Sequence, residues 1–275
     1  MTPPNLYLWL IPLLPLAGAA VNGFFGRGFS KKTVSGVALF FSGAAFLMAL
    51  HVLASFSSLA LPYVEPGISW IRSGDFHVNF AFYLDQLALL MLMVVTGVGF
   101  LIHIYSVAYM ADDDGFYRFF AYLNLFMFFM LMLILANNYL VMFIGWEGVG
   151  LASYLLIGFY FLKDSAAAAG KKAFITNRIG DFGFLIALFL MIQHFGSLDY
   201  ERVAAAVAQL PQEVAGVGVL TAIGILLMVG AAGNPRSFPS TSGCRTRWKA
   251  PRRFRPSFTR RRWSRQACIW FRDRM

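Results

Sequence analysis

The feature that most constrains this chain is an apolar run of bilayer length that contains one carboxylate. The run spans Leu140–Phe159, and Glu147 lies near its middle. A charged side chain at the centre of a bilayer costs about 2.5–3.5 kcal/mol on insertion scales. We therefore expect Glu147 to face other helices or a wet cavity, where a cation can pair with it. One interpretation is a structural acid tied to a single Lys or Arg; the other, which we favour, is a proton relay.

Small residues surround this acid. Gly145, Gly148 and Gly150 predict close approach of a neighbouring helix. Ser153 is expected to offer its hydroxyl to an interhelical hydrogen bond.

The hydropathy pattern predicts an all-α fold: a polytopic transmembrane helical bundle of about seven spans. More than half of the residues are hydrophobic and only 13% are charged, which is typical of a membrane protein rather than a soluble one. The predicted spans are Leu6–Phe25, Thr33–Phe56, Phe80–Tyr109, Tyr117–Ala136, Tyr139–Leu162, Ala173–Gln193 and Val214–Gly233.

The loops predict the orientation. Bases lie between spans one and two and between spans five and six, as Arg27, Lys31 and Lys32 and as Lys163, Lys171 and Lys172. Positive loops stay in the cytoplasm, so the N-terminus is expected outside. Residues 57–79 are expected to form an interfacial flap, and Asp199–Leu210 a short surface helix on the outside.

Three other places carry ionisable groups within the predicted spans. Asp85, near the start of span three, is either a headgroup-level acid or a water-binding one. His103, near the other end of that span, is either hydrogen-bonded in the core or able to pass protons on. Arg178 and Asp181 are three residues apart on one helical face, where they form either a fixed ion pair or one that opens and recloses.

Motifs for enzyme chemistry do not occur in residues 1–233. We find no phosphate-binding loop, dinucleotide fingerprint, metal-binding spacing or nucleophile triad. Both cysteines, Cys244 and Cys268, lie beyond this part. The pattern therefore indicates a conduit and not a redox centre.

Several ordered motifs resemble one family. Gly145–Gly158, Lys172–Asp181 and Leu101–Ser106 are similar to segments of subunit L (chain 5) of respiratory complex I, NADH:quinone oxidoreductase. The resemblance covers about residues 1–233. It implies a proton-translocating, antiporter-like fold of two inverted repeats, working as one subunit of a translocase beside other membrane subunits, including other antiporter-like ones. NADH, FMN, iron–sulfur clusters and quinone would be bound by other subunits, so no cofactor and no metal is expected in this chain.

The resemblance also implies site residues. Glu147 matches the family's fifth-helix glutamate, Arg178 and Asp181 its sixth-helix pair, and His103 its third-helix histidine. The family pairs the glutamate with a lysine in helix seven, which is followed by Trp-Leu-Pro-Asp-Ala-Met. Here Gly233 is followed by Asn234 and Pro235 instead.

The last part of the chain differs from the rest in composition. Residues 234–275 contain 13 of the 23 Lys and Arg and a single acid, Asp273. Taken alone, this basic, low-complexity tail could bind nucleic acid or anionic lipid. We prefer a frameshift. Each residue of the tail allows a few codons. If these codons are read one base earlier, one choice among them spells the family's helix seven, starting with its lysine and including Trp-Leu-Pro-Asp-Ala-Met.

The frameshift hypothesis has two consequences. A single-base deletion near the codon of Gly233 would make residues 1–233 an N-terminal fragment of the antiporter-like domain and residues 234–275 a non-native or disordered tail. Such a product is expected not to pump protons. The alternative functions are a subunit of a multisubunit sodium/proton antiporter or membrane hydrogenase, and a membrane-anchored protein with a nucleic-acid-binding tail. We favour complex I and no nucleic-acid partner.

Overall fold

Six long apolar helices form the main part of the protein. The computed structural model describes residues 6–55, 62–74, 76–161, 164–209 and 218–232. The helices are α1 (Leu10–Phe25), α2 (Lys31–Ala54), α3 (Gln86–Tyr109), α4 (Phe116–Ile134), α5 (Tyr139–Ile157), α6 (Asp164–Phe195), α7 (Tyr200–Gln209) and α8 (Val219–Ala232). Helices α1 to α6 are long and apolar enough to cross a membrane. The predicted helical membrane bundle is confirmed.

The seventh predicted span corresponds to α8, which has 14 residues. It is apolar but shorter than the other six membrane helices. The residues just before it, 210–217, lie outside the described part of the chain, as do Lys163, Cys244, Cys268 and the whole tail of 234–275. The structure therefore does not test the predictions made for that tail.

A β-hairpin occupies most of the predicted flap. Strand β1 (Tyr63–Ser73) pairs antiparallel with β2 (Phe76–Leu84), with Tyr63 opposite Leu84 and Ser73 opposite Phe76. The third predicted span began too early, because Phe80–Leu84 belongs to β2 and the helix begins at Gln86. Apolar composition alone does not separate a buried strand from a helix over so few residues.

Asp85 ends the strand and starts the helix. Its Oδ1 accepts a hydrogen bond from the backbone N–H of Ala88 at 2.6 Å, so the side chain is the N-cap of α3. The cap is a third role, which the sequence analysis did not include, and the headgroup-level and water-binding roles stay predictions.

The predicted surface helix is confirmed as α7, which lies at the same end of the bundle as the hairpin. Asn138, the N-cap of α5, donates from Nδ2 to the carbonyl of Asn79 in β2 at 2.8 Å. Asn138 also forms an isolated bridge with Asp199, immediately before α7. Hairpin, α5 and α7 thus meet around one asparagine.

The opposite end of the bundle carries the basic loops. Lys31, at the start of α2, donates from Nζ to the carbonyl of Ala111 after α3 at 2.8 Å. The loop between α1 and α2 and the loop between α3 and α4 therefore share one end. This arrangement agrees with the alternation of spans from which we inferred the orientation.

The helices pack around three apolar cores. Helix α4 lies between α1 and α5, α5 lies against α6, and α6 lies against α8. One core combines buried residues of α1–α5 with the second strand, and another combines α6 with α8 and the segment around Leu198. The third lies around Phe120, where α2, α4 and the residues that follow α3 and α5 meet. Large apolar side chains such as Leu90, Leu101 and Phe182 are exposed and face outward, as lipid-facing residues do.

Glu65 connects the hairpin to the start of α1. Its carboxylate accepts a hydrogen bond from the backbone N–H of Leu8 at 2.6 Å and another from Trp9. Burial raises the pKa of Glu65, and the two N–H donors offset that rise only in part. The folded state therefore holds the proton to higher pH than the unfolded chain does.

This raised pKa predicts a pH dependence of stability. The folded protein binds more protons than the unfolded one between the unfolded pKa of Glu65 and its higher folded pKa, so the free energy of unfolding falls as pH rises through that window. Glu65→Gln, which still accepts from Leu8, is expected to remove this part of the dependence. Unfolding titrations of both proteins from pH 4 to pH 7 measure it. If the free energies of unfolding of the two proteins changed with pH in parallel, the assignment of this pH dependence to Glu65 would be wrong.

Candidate functional site

The candidate site lies halfway along α5 and α6. Glu147 is within one residue of the middle of α5 (Tyr139–Ile157), and Arg178 is close to the middle of α6 (Asp164–Phe195). The two helices are antiparallel neighbours, which brings these positions to the same depth. The structure thus places two oppositely charged side chains where a membrane would be most apolar.

Arg178 pairs with Glu147 and also lies near Asp181. Its Nη1 contacts Oε2 of Glu147 in an ion pair between the two helices, and the same Nη1 is 3.9 Å from Oδ2 of Asp181. The Asp181 side chain is only 6% exposed, against 23% for Glu147 and 38% for Arg178. The local contact between Arg178 and Asp181 is thus a long one, and Arg178 also pairs with Glu147 on the neighbouring helix. That the local pair is fixed, or that it opens and recloses, stays a prediction.

Aromatic side chains contact both Asp181 and Arg178. Trp146 donates from Nε1 to Oδ1 of Asp181 at 2.9 Å, and its ring stacks on Phe184 with centroids 6.5 Å apart. The guanidinium of Arg178 lies over the ring of Phe174, 4.6 Å from its centroid. Trp146 therefore stabilises one carboxylate and leaves Arg178 available to the other.

The charges of this cluster do not balance. Glu147 and Asp181 supply two negative charges, and Arg178 supplies one positive charge. Among the described residues, the ion pairs of this cluster include no second cation. A cluster of this kind at membrane depth is stabilised by one further positive charge, which can be a proton or a basic side chain.

The glycines next to Glu147 face two different helices. A Cβ on Gly145 would lie 2.7 Å from the backbone nitrogen of Leu133 in α4, and one on Gly148 would overlap the ring of Phe129. A Cβ on Gly150 would only touch Asn177 in α6, at 3.8 Å. The predicted close approach is confirmed for α4.

The prediction for Ser153 is wrong. Its Oγ donates to the carbonyl of Gly150 in its own helix at 2.8 Å. A serine hydroxyl in an apolar helix commonly donates its hydrogen bond to a backbone carbonyl of the preceding turn.

His103 is not part of this cluster. It is 1% exposed, and it lies between α3 and α4. Its Nδ1 donates to the carbonyl of Gly99 at 2.7 Å, and its Nε2 is 3.1 Å from the side-chain oxygen of Asn124. The structure therefore brings Glu147, Arg178 and Asp181 together and gives His103 separate surroundings.

The asparagine beside His103 suits both protonation states of the ring. With Nδ1 donating to Gly99, a neutral imidazole accepts at Nε2 and an imidazolium donates there. The Asn124 amide offers an oxygen to the charged ring and, after a half-turn, an NH₂ group to the neutral ring. The hydrogen-bonded histidine and the proton-passing histidine are thus both compatible with this geometry.

A second buried asparagine extends the polar surroundings of His103 towards α1. Asn22 and Asn124 are both fully buried, and the Asn124 Nδ2 lies 3.1 Å from where a Cβ on Gly18 would be. Asn22 is one helical turn beyond Gly18 and donates to the carbonyl of Val34 at 3.2 Å. Neither asparagine was predicted from the sequence, although an amide inside an apolar run is a detectable signal.

Asn124→Leu is expected to lower the free energy of unfolding by about 1–3 kcal/mol, because His103 Nε2 would then be buried without a partner. The double variant His103→Phe, Asn124→Leu is expected to recover much of that loss, since apolar replacement of both partners leaves no unsatisfied group. Unfolding in a denaturing detergent measures both. Purely additive losses would contradict the assigned hydrogen bond.

Metal ligation finds no support among the side chains that the structure describes. No group of three or more His, Cys, Asp or Glu side chains in this part of the chain is placed to hold a metal ion.

Two family models match the chain. The model for the N-terminus of chain 5 of NADH-ubiquinone oxidoreductase (complex I) matches residues 70–120. The transmembrane model shared by NADH:quinone oxidoreductase and the Mrp antiporter matches residues 136–239. The candidate site lies within the second match.

Curated relatives carry the same family name. NADH-quinone oxidoreductase subunit L of Mycobacterium tuberculosis (strain CDC 1551 / Oshkosh) is 44% identical over 238 residues, which cover 85% of this chain and 36% of the relative. Subunit L of Neisseria meningitidis (serogroup A) is 40% identical over 248 residues, covering 87% of this chain and 37% of the relative. The chain thus spans a little over a third of the length of these relatives.

Two solved structures share the fold. The archaeal membrane-bound sulfane sulfur reductase superposes with a TM-score of 0.69 at 18% identity, covering 83% of this chain and 44% of that one. The Mrp complex of Dietzia sp. DQ12-45-1b superposes with a TM-score of 0.66 at 21% identity, covering 82% and 23%. At these identities the likeness shows the fold alone.

Proposed function

Since the chain belongs to the family of antiporter-like membrane subunits that includes subunit L of NADH-quinone oxidoreductase, we propose that its sequence encodes the N-terminal part of a proton-translocating subunit. In the proposed complex, other subunits oxidise NADH and reduce quinone, and this subunit moves protons across the membrane. It would be one subunit of a translocase and would contain no redox centre of its own.

The observation that carries the proposal is the charge of the cluster at mid-membrane depth. Glu147 and Asp181 share one arginine, so the cluster has a place for one more positive charge. A proton on Glu147 would weaken its attraction for Arg178 and leave the guanidinium to Asp181, whose Oδ2 is already 3.9 Å away. Arg178 would thus open one pair and close another as the proton arrives.

The family's helix-seven lysine would compete with that proton. The resemblance places this lysine directly after Gly233, just beyond the end of α8. Helix α8 packs on α6 beside the cluster, since a Cβ on Gly230 would lie 3.5 Å from the carbonyl oxygen of Gly180. A lysine approaching Glu147 would favour loss of its proton, and a lysine moving away would favour uptake.

His103 and its asparagines are proposed as a separate proton-handling group. They lie near the end of α3 that shares the basic loops, which we assign to the cytoplasm. The N-terminus would then be periplasmic in a bacterial inner membrane. The proposed partners are the other membrane subunits of the complex and the lipid bilayer.

We also propose that residues 234–275 are a frameshift product. Their inferred codons, read one base earlier, continue the helix-seven sequence of the family, starting with the missing lysine. The nucleotide sequence tests this directly. The proposal fails if the shifted frame of the gene does not encode that helix, and neighbouring genes for the other oxidoreductase subunits would support the assignment to complex I over an antiporter.

The function is tested in an intact-frame version restored to its complex. With the complex in liposomes, NADH oxidation by quinone is expected to drive proton uptake that does not depend on sodium. Uptake that requires sodium would favour the antiporter-like alternative, and quinone reduction without any proton movement would overturn the proposal.

A further inference from the structure

A small pocket with two cationic side chains opens at the basic end of the bundle. Its volume is about 190 Å³, and it lies between the first turns of α4, the end of α5 and the start of α6. Arg118 lies on one side and Lys171 on the other, with Tyr122, Tyr154 and the ring of Phe159 between them. Its lining residue Lys171 is seven residues before Arg178 on α6, and its lining does not include Glu147, Arg178 or Asp181.

Arg118 lies against two aromatic rings and has no acidic partner among the residues that the structure describes. Its guanidinium lies 5.9 Å from the ring centroid of Phe159 and 5.3 Å from that of Phe161. Its Nε is buried and has no hydrogen-bond partner among the described residues. The ion pairs among the described residues join other side chains, so no described carboxylate neutralises Arg118 or Lys171.

Asp113, an acid whose partner Tyr160 lies between the lining residues Phe159 and Phe161, already has other partners. Asp113 accepts from the hydroxyl of Tyr160 at 2.9 Å and from the backbone N–H of Gly115 at 3.0 Å. Burial and then Asp113 itself raise the pKa of Tyr160 to about 12, so this hydroxyl keeps its proton at neutral pH and continues to donate. Asp113 is thus occupied, and Arg118 stays available to an outside anion.

We propose that this pocket binds the phosphate of an anionic phospholipid headgroup. Arginine presents several N–H donors to phosphate oxygens, lysine adds a point charge, and the two tyrosine hydroxyls can donate further hydrogen bonds. Basic pockets between transmembrane helices at the cytoplasmic surface are typical sites for such headgroups. The exposed apolar faces of the helices around the pocket provide the surface along which the acyl chains run.

Photolabelling of the full 275-residue chain tests the proposal. The protein is placed in nanodiscs of phosphatidylcholine that contain phosphatidylglycerol with a photoreactive group in its headgroup, and labelled peptides are mapped. We expect label on the segments that contain Tyr122 and Tyr154. Arg118→Gln and Lys171→Gln are each expected to lower it about fivefold, and Arg118→Lys to lower it less.

Lys172→Gln is the matched control, because Lys172 is an exposed neighbour that does not line the pocket. The bases of residues 234–275 will also attract the lipid, but their peptides map separately and the tail is the same in every variant. Because Lys171 is exposed, its variant remains informative even if Arg118→Gln does not fold. Equal label in the Lys171→Gln and Lys172→Gln proteins would overturn the proposal.

Inorganic phosphate distinguishes the two sources of the same anion. A lipid site is expected to keep its label in millimolar phosphate, because the acyl chains anchor the headgroup. If inorganic phosphate removes the label, the pocket binds a soluble phosphate and the lipid assignment is wrong. No label in either case would also overturn it, and neither result depends on whether the chain translocates protons.

Discussion

Glu147→Gln in an intact-frame version of the subunit is expected to lower proton pumping at least about tenfold while quinone reduction continues. Glutamine keeps the size of the side chain and can still hydrogen-bond to Arg178, but it neither carries the charge nor accepts the proton. The cluster would change from two acids and one base to one of each, which leaves no place for a transported proton. Proton pumping and quinone turnover are measured on the same liposomes, which separates a loss of pumping from a loss of electron transfer.

Glu147→Asp is the control for this prediction. It retains a carboxylate at the same depth, one methylene further from Arg178, and is expected to retain part of the pumping. Normal pumping with normal quinone turnover in Glu147→Gln would remove Glu147 from the mechanism.

Gly145→Ala is expected to lower the free energy of unfolding by about 3 kcal/mol, the largest stability loss that we predict. The added Cβ would lie 2.7 Å from the backbone nitrogen of Leu133 and 2.8 Å from its Cα. Backbone atoms cannot turn aside as a side chain can, so α4 and α5 must separate. Because Glu147 is two residues further along α5, the separation should also disturb its pair with Arg178.

Gly150→Ala is the matched control on the same helix. Its Cβ would make an ordinary contact with Asn177 at 3.8 Å, so we expect a change within about 1 kcal/mol. Unfolding of both variants in a denaturing detergent provides the comparison. Equal stability of the two variants would contradict the close approach at Gly145.

The membrane helices could be predicted because their signal is strong. A run of apolar residues long enough to cross a bilayer has few alternatives, and a carboxylate inside such a run must face protein or water. The site residues Glu147, Arg178 and Asp181 came from the family resemblance together with that argument. Their meeting between α5 and α6 follows from antiparallel packing of neighbours.

Other features could not be predicted because they depend on pairing across the fold. The apolar residues Phe80–Leu84 suit a strand or a helix equally, and only the partner strand β1 decides between them. The hydroxyl of Ser153 had an acceptor in its own helix as well as possible ones outside. The choice of Arg178 between the two carboxylates also depends on Trp146, because its indole N–H already donates to Asp181.

A double-mutant cycle on Glu147 and Arg178 tests the central claim most directly. The claim is that the acid is tolerated at mid-membrane depth because an arginine of the next helix pairs with it. The free energies of unfolding of the chain, Glu147→Gln, Arg178→Gln and the double variant give the coupling between the two side chains. We predict that Arg178→Gln alone costs about 1–3 kcal/mol, and clearly less once Glu147 is already glutamine. Losses that add to within about 0.3 kcal/mol would show that the two side chains do not interact, and would contradict the account.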